Sequence, residues 1–263
     1  MNPHESRTDE HPQLAPEPLH VPELAVADFG FAVIKGTRHR SRPEAQLDAA
    51  GPVGDRRYCL VDLKSGKVLK TVQNPSLVTV DVHEEETGLV VELPTGVSVS
   101  AAPVPSGRVA MADYWGRKVP LEIMDGPHGS LLSEWLGKDV QLARAPQGGV
   151  VYADPVSIAT TGSIRDLGRM ADHPDLFSEA ARFRATFIID EDEPFVEERW
   201  LGREFTVRGC RLRITAPIGR CAVLDINPWT GERGSHLLKT LAEYRPRNGV
   251  GEPLFGVCAE VLD

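Results

Sequence analysis

One short stretch of this chain combines residue types that can do chemistry. Ala216-Pro-Ile-Gly-Arg-Cys221 sets a thiol beside a fixed cation, and Asn227-Pro-Trp-Thr-Gly231 follows as a turn. A β-rich run, Arg211-Leu-Arg-Ile-Thr-Ala, leads into the Pro/Gly bend, and a second apolar run, Ala222-Val-Leu, leaves it. A thiolate beside Arg220 would be stabilised by the positive charge and could serve as a nucleophile or a soft metal ligand. The competing reading is that Cys221 is a small buried hydrophobe, a common fate of free cysteine. Cys59 and Cys258 lie in apolar, strand-like sequence and read as inert core. None of the four cysteines forms a CxxC pair, so neither a structural zinc site nor a Cys-ligated iron–sulfur cluster is expected. Glu197 and Glu198 could mimic a carboxylate pair, but fit the charged face of an edge strand better. No Gly-rich phosphate loop, HExxH or GxSxG occurs.

The elements that must position these residues read as mainly β. The 263 residues suffice for one large or two ordinary domains. Short apolar runs punctuated by Gly and Pro predict strands at Ala27–Lys35, Tyr58–Leu63, Lys67–Val72, Leu77–His83, Leu89–Glu92, Gly96–Ala101, Arg108–Ala112 and Arg117–Met124. That pattern suits a barrel or sandwich rather than βαβ units. Beyond it, Ser130–Leu136 predicts a short helix stopped by Gly137, and Val140–Ala143 and Ser157–Thr161 predict strands. Ser163 is a suitable N-cap for a helix over Ile164–Ala171, and Pro174–Arg182 predicts another. Arg184–Ile189, Glu197–Leu201, Glu204–Val207, Cys210–Thr215, Ala222–Ile226 and Gly256–Leu262 continue as strands, with an amphipathic helix at Ser235–Tyr244. The expected class is α+β, mainly β: a disordered tail over 1–22, an N-terminal β-barrel-like domain over 23–125, and a second β domain with a few short helices over 126–263.

Charge and composition narrow the partners. Formal net charge is −9, and five acids against one base in the first 24 residues leave −5 for the rest. This is no nucleic-acid footprint. His4, His11 and His20 fit no metal geometry and read as part of a solvated tail. No apolar run is long enough to span a bilayer and no export pattern opens the chain, so free thiols point to the cytoplasm.

A series of motifs, in order, resembles a known family. Ala181-Arg-Phe-Arg-Ala-Thr-Phe-Ile-Ile, Glu197-Glu-Arg-Trp-Leu-Gly, Arg220-Cys221, Asn227-Pro-Trp-Thr-Gly-Glu-Arg and Phe255-Gly-Val-Cys-Ala-Glu-Val resemble a MOSC domain. Val33-Ile-Lys-Gly, Gly54-Asp-Arg-Arg and Asn74-Pro-Ser-Leu upstream resemble the β-barrel domain that commonly precedes it. The family includes the mitochondrial amidoxime-reducing component and bacterial relatives. The resemblance implies a molybdenum cofactor whose metal, held by a pterin dithiolene, is ligated by Cys221. It implies cofactor anchoring by Lys35, Arg56, Ser163 and Arg184, with Arg182 and Arg220 beside them. It also implies reduction of N-oxygenated small molecules and a separate ferredoxin-like or haem electron donor. Asp225, close to Cys221 in sequence, either alters substrate choice at the reacting centre or points outward. A sulfur carrier using a Cys221 persulfide and a non-catalytic cofactor-binding protein remain alternatives. Three places depart from the family pattern: Ala185-Thr186 where Pro-Asn is usual, Leu224-Asp225 where Thr-Thr is usual, and Gly36 where Ser is usual.

Overall fold

Strands dominate because runs of a few β-formers between turn residues pair side by side more readily than they wind helices. The computed structural model describes residues 21–44 and 46–262. A closed barrel is built from Val104–Tyr114, Arg117–Asp125, Gln141–Arg144, Tyr58–Asp62 and Lys67–Val68. A seven-stranded sheet follows the order Glu204–Val207, Cys210–Gly219, Leu254–Leu262, Val156–Thr160, Phe187–Ile189, Val26–Phe31 and Arg40–Ser41. A three-stranded sheet over residues 81–101 completes the main framework, which is the mainly β architecture expected.

The sheets do not respect a boundary at residue 125. Val26–Phe31 pairs with Phe187–Ile189, and Phe29 lies opposite Phe187 with ring centroids 5.5 Å apart. Gln141–Arg144 returns to the barrel against Tyr58–Asp62. One hydrophobic core accordingly joins both halves, taking Phe29, Ile34 and Leu60 together with Ile158, Phe187 and Leu212. A second core fills the barrel around Tyr114, Leu121 and Ile123, and a third gathers Phe183, Leu224, Leu241 and Phe255 under the helices.

Several local expectations need correction. The helix α1 (Pro127–Leu136) ends at Gly137 with φ of 60°, as predicted. The helix α2 spans Thr161–Met170, and its N-cap is Thr160, not Ser163. Both residue types can cap, but the strand Val156–Thr160 delivers Thr160 in extended geometry, and its hydroxyl accepts from Ser163 N. The strands expected at Glu197–Leu201 and Ala222–Ile226 are 3₁₀ turns, Val196–Trp200 and Ala222–Asp225. The expected Leu77–His83 strand is a 3₁₀ turn over Pro75–Thr79 followed by a strand at Asp81–Glu85; Pro75 presets the turn's first φ. Pro174–Arg182 is represented by a 3₁₀ segment, Leu176–Phe183. The third helix, α3, is Leu237–Tyr244. Most of the tail expected over 1–22 lies outside the described residues, although Pro22 O already accepts a hydrogen bond from Thr206 N at 2.8 Å.

Candidate functional site

The strand Cys210–Gly219 ends two residues before Cys221. Pairing with Leu254–Leu262 carries it to that point, and Arg220 N still bonds to Pro253 O at 2.9 Å. The chain then tightens into the 3₁₀ turn, with Leu224 N donating to Cys221 O. This leaves the Cys221 thiol exposed, so the buried-hydrophobe reading fails for this residue. Cys59 is fully buried and its thiol is pushed up to about 12, chiefly by burial. The turn after Cys221 is held at both ends. Leu224 O accepts from Arg182 Nη1 at 3.2 Å, and Asp225 Oδ1 accepts from Leu238 N at 3.0 Å in the first turn of α3.

Cys221 stands at the edge of a cavity of about 250 Å³ between the barrel and the seven-stranded sheet. Lys35, Lys70, Arg56, Arg182, Arg184 and Arg220 line it, against one acid, Asp154. Each basic group is placed by a specific local device. Arg56 has a left-handed backbone (φ 49°), pairs with Asp55 and donates to Arg184 O; Asp55 is itself fixed by Ala32 N at 2.9 Å. Arg184, also left-handed (φ 49°), ends the Leu176–Phe183 segment and donates from Nη1 to Thr37 O at 2.9 Å. Arg220 lies beside the stacked rings of Phe183 and Phe255, donating to Phe255 O and Phe183 O at 2.8 Å each. Lys35 stands 5.2 Å from the Tyr114 ring centroid.

This crowding of cations is electrostatically costly. Burial, then Arg184 and Arg56, lower the Lys35 ammonium to about 7. Burial lowers both Arg184 and Arg220 to about 10, with Arg56 adding to the effect on Arg184. Arg184 Nη2 and Arg220 Nη2 are buried and have no hydrogen-bond partner. Buried guanidinium donors without acceptors are expensive, and an anionic ligand is the natural complement. Among the described residues, no three His, Cys, Asp or Glu side chains converge as a metal cage. A metal at Cys221 would therefore draw most of its ligands from a molecule occupying the cavity.

Ser163 and Asp225 lie off this wall, and Arg182 is on it but already engaged. Ser163 is fully buried; its hydroxyl accepts from Phe195 N at 2.7 Å and donates to Glu197 Oε1 at 2.9 Å. It is absent from the cavity wall, and Gly162 N at the start of α2 is taken by Glu191 O. Glu197 is thus an internal acceptor, also bonded by Thr160 Oγ1, rather than half of a carboxylate pair; burial raises its carboxyl above the ordinary range. Arg182 lines the wall, but its guanidinium is committed to Glu179, Leu224 O and Ser235 Oγ. Asp225 does not line this cavity; it lines a second, open groove that it shares with Cys221, Arg220, Lys239 and Arg247. Sequence reasoning missed Lys70, Trp115, Tyr152, Ser157 and Thr186, all on the wall. Thr186 holds the position of the missing family amide and is hydrogen-bonded to Ser157.

The chain matches the MOSC N-terminal beta barrel domain over residues 29–138 and the MOSC domain over residues 136–263. It belongs to the MOSC-domain proteins. It is 33% identical over 97 residues to a human protein named molybdenum cofactor sulfurase, covering 34% of this chain and 11% of that one. The zebrafish protein of the same name is 32% identical over 76 residues, covering 29% and 8%. The matches thus span only about a tenth of those relatives. A Bordetella bronchiseptica protein known from a solution structure aligns with 43% of this chain and 97% of its own, at 12% identity and a TM-score of 0.31. Family membership and the likeness to the proteins named molybdenum cofactor sulfurase support a molybdenum-cofactor-related domain. No helix among the described residues is long and apolar enough to cross a membrane.

Proposed function

We propose that this MOSC protein is a molybdenum-cofactor-dependent reductase of N-oxygenated compounds, with the Cys221 thiolate as the protein's ligand to the metal. The observation that carries the reading is an exposed thiol lining a cavity whose wall gathers Lys35, Arg56, Arg184 and Arg220 against a single acid, Asp154. The cofactor, when bound, supplies a soft, sulfur-ligated two-electron centre able to take oxygen from an N–O bond. The chain's own residues do the rest. Arg184, Arg220, Arg56 and Lys35 supply the positive charge at the wall that complements the anionic parts of the ligand. Lys35 binds a proton as negative charge enters beside it. Asp225 and Arg182 act indirectly by fixing the turn that presents Cys221.

For a hydroxylamine, the balanced reaction takes R–NHOH, two electrons and two protons to R–NH₂ and water. The electrons come from a separate small ferredoxin-like or haem protein. A direct test supplies the purified protein, made in a molybdenum-cofactor-producing host, with a chemical reductant and a hydroxylamine. Amine formation that disappears in Cys221→Ser is expected; cofactor-loaded protein that forms no amine would reduce the reading to cofactor binding alone.

A sulfur-carrier reading, with a persulfide on Cys221, is supported by the likeness to proteins named molybdenum cofactor sulfurase. It predicts a one-sulfur mass adduct on Cys221 in protein free of molybdenum.

A further inference from the structure

The mouth of the cavity carries aromatic surface that the cofactor chemistry leaves unexplained. Trp115 and Tyr152 both line it, and their rings touch edge to face with centroids 4.9 Å apart. About half of each residue is exposed, at 48% and 50%. The two come from different parts of the fold. Trp115 is at the tip of the barrel hairpin between Val104–Tyr114 and Arg117–Asp125, whereas Tyr152 is in the loop before Val156–Thr160. Two contacts hold them at the mouth: Lys70 Nζ lies 3.5 Å from the Trp115 ring centroid, and Arg117 Nη2 donates to Val151 O.

The backbone at Trp115 adds an independent argument. Tyr114 pairs with Arg117, so Trp115-Gly116 is a two-residue hairpin turn, and both residues have positive φ, 55° and 78°. Such a turn favours Asn-Gly, and a bulky aromatic in the left-handed region is strained. An exposed tryptophan gains little burial to offset that strain, and strained residues of this kind cluster at binding sites.

We propose that Trp115 and Tyr152 form an aromatic slot that selects N-oxygenated substrates bearing a planar aromatic group. The inference rests on the reductase reading for its reaction, but the slot's preference can be read separately from turnover. Ring surface at the cavity mouth favours flat π-systems over small alkyl groups of equal polarity. Cys221 lines the same cavity, so the slot and the thiol border one space in which ring and N–O group could be held together.

The test compares N-phenylhydroxylamine with N-methylhydroxylamine on wild-type protein, Trp115→Asn and Tyr152→Ala. Trp115→Asn removes the ring while giving the turn its favoured residue, so the fold should be retained. Wild type should have the lower KM for the phenyl compound. In the variants that KM should rise about tenfold, and the methyl compound's less than about twofold, with molybdenum and pterin content unchanged. Equal changes for both compounds would overturn the proposal. So would loss of cofactor from the variants, because the rings would then belong to the cofactor site. If wild type reduces neither compound, the reductase reading fails, and calorimetric binding decides the slot: a phenyl preference abolished by the variants supports it, and equal binding of both compounds overturns it.

Discussion

At the residue scale, Lys35 makes the cavity's electrostatics measurable. Its folded-state value, about 7, lies below the ordinary lysine value of 10.5, so the unfolded chain binds more protons between those limits. The Lys35 penalty is full below pH 7, fades as pH rises through the window and is gone above 10.5. Lys35→Met should therefore stabilise the empty protein, on the order of 1–4 kcal/mol, at pH 6. Urea unfolding should show the gap between variant and wild type closing by pH 10, and a pH-independent gap would contradict the assigned burial. Anionic ligands should bind less well as pH climbs above 7, with proton uptake visible by calorimetry in buffers of different ionisation heat. Cys221 should account for the fastest phase of thiol labelling, because Cys59 and Cys258 are buried and Cys210 is only partly exposed. With Cys210 replaced by Ser, persistence of that phase after Cys221→Ser would contradict the exposed geometry.

At the scale of elements, the sequence showed more of the strands than of the turns. Glu204–Val207 has the predicted bounds, and α1 stops at the predicted glycine, because alternation and a left-handed stop are local signals. Ala222-Val-Leu has strand-like residues, yet it turns because Arg182 and α3 capture Leu224 O and Asp225, partners distant in sequence. Ser163 and Thr160 are equally good caps on paper, and what distinguishes them is the strand Val156–Thr160, which delivers Thr160 extended at the helix start and leaves Ser163 inside the first turn, bonded to the buried Glu197. Ser163→Ala should then cost about 1–3 kcal/mol in chemical denaturation by depriving Glu197 and Phe195 N of a partner. Cofactor content per folded molecule should not change; a selective loss of cofactor without loss of stability would restore Ser163 to the binding site. Trp115 and Tyr152 were illegible for a related reason. Each sits in an ordinary-looking turn, and only the docking of the barrel hairpin against the loop over residues 150–155 brings them together.

At the scale of the whole molecule, the shared sheet makes the two halves interdependent. Residues 126–263 expressed alone would lose Val26–Phe31 and expose the edge of Phe187–Ile189. That fragment should aggregate or lack a cooperative unfolding transition, whereas a sharp transition by circular dichroism would show that the C-terminal half folds independently. The cavity has the same dual origin, with Lys35, Arg56, Lys70 and Trp115 from one half and Arg184, Arg220 and Cys221 from the other. The motif series made the family legible because its pieces come in order. The Lys35, Arg56 and Arg184 assembly becomes visible only when the halves are joined. The most direct measurement of the central claim is molybdenum and pterin content of the full chain from a cofactor-producing host, with Cys221→Ser alongside. Near-stoichiometric metal in the wild type, lost in the variant, is the predicted result. Metal-free wild type from that host, or a variant that retains as much molybdenum, would contradict Cys221 as the ligand.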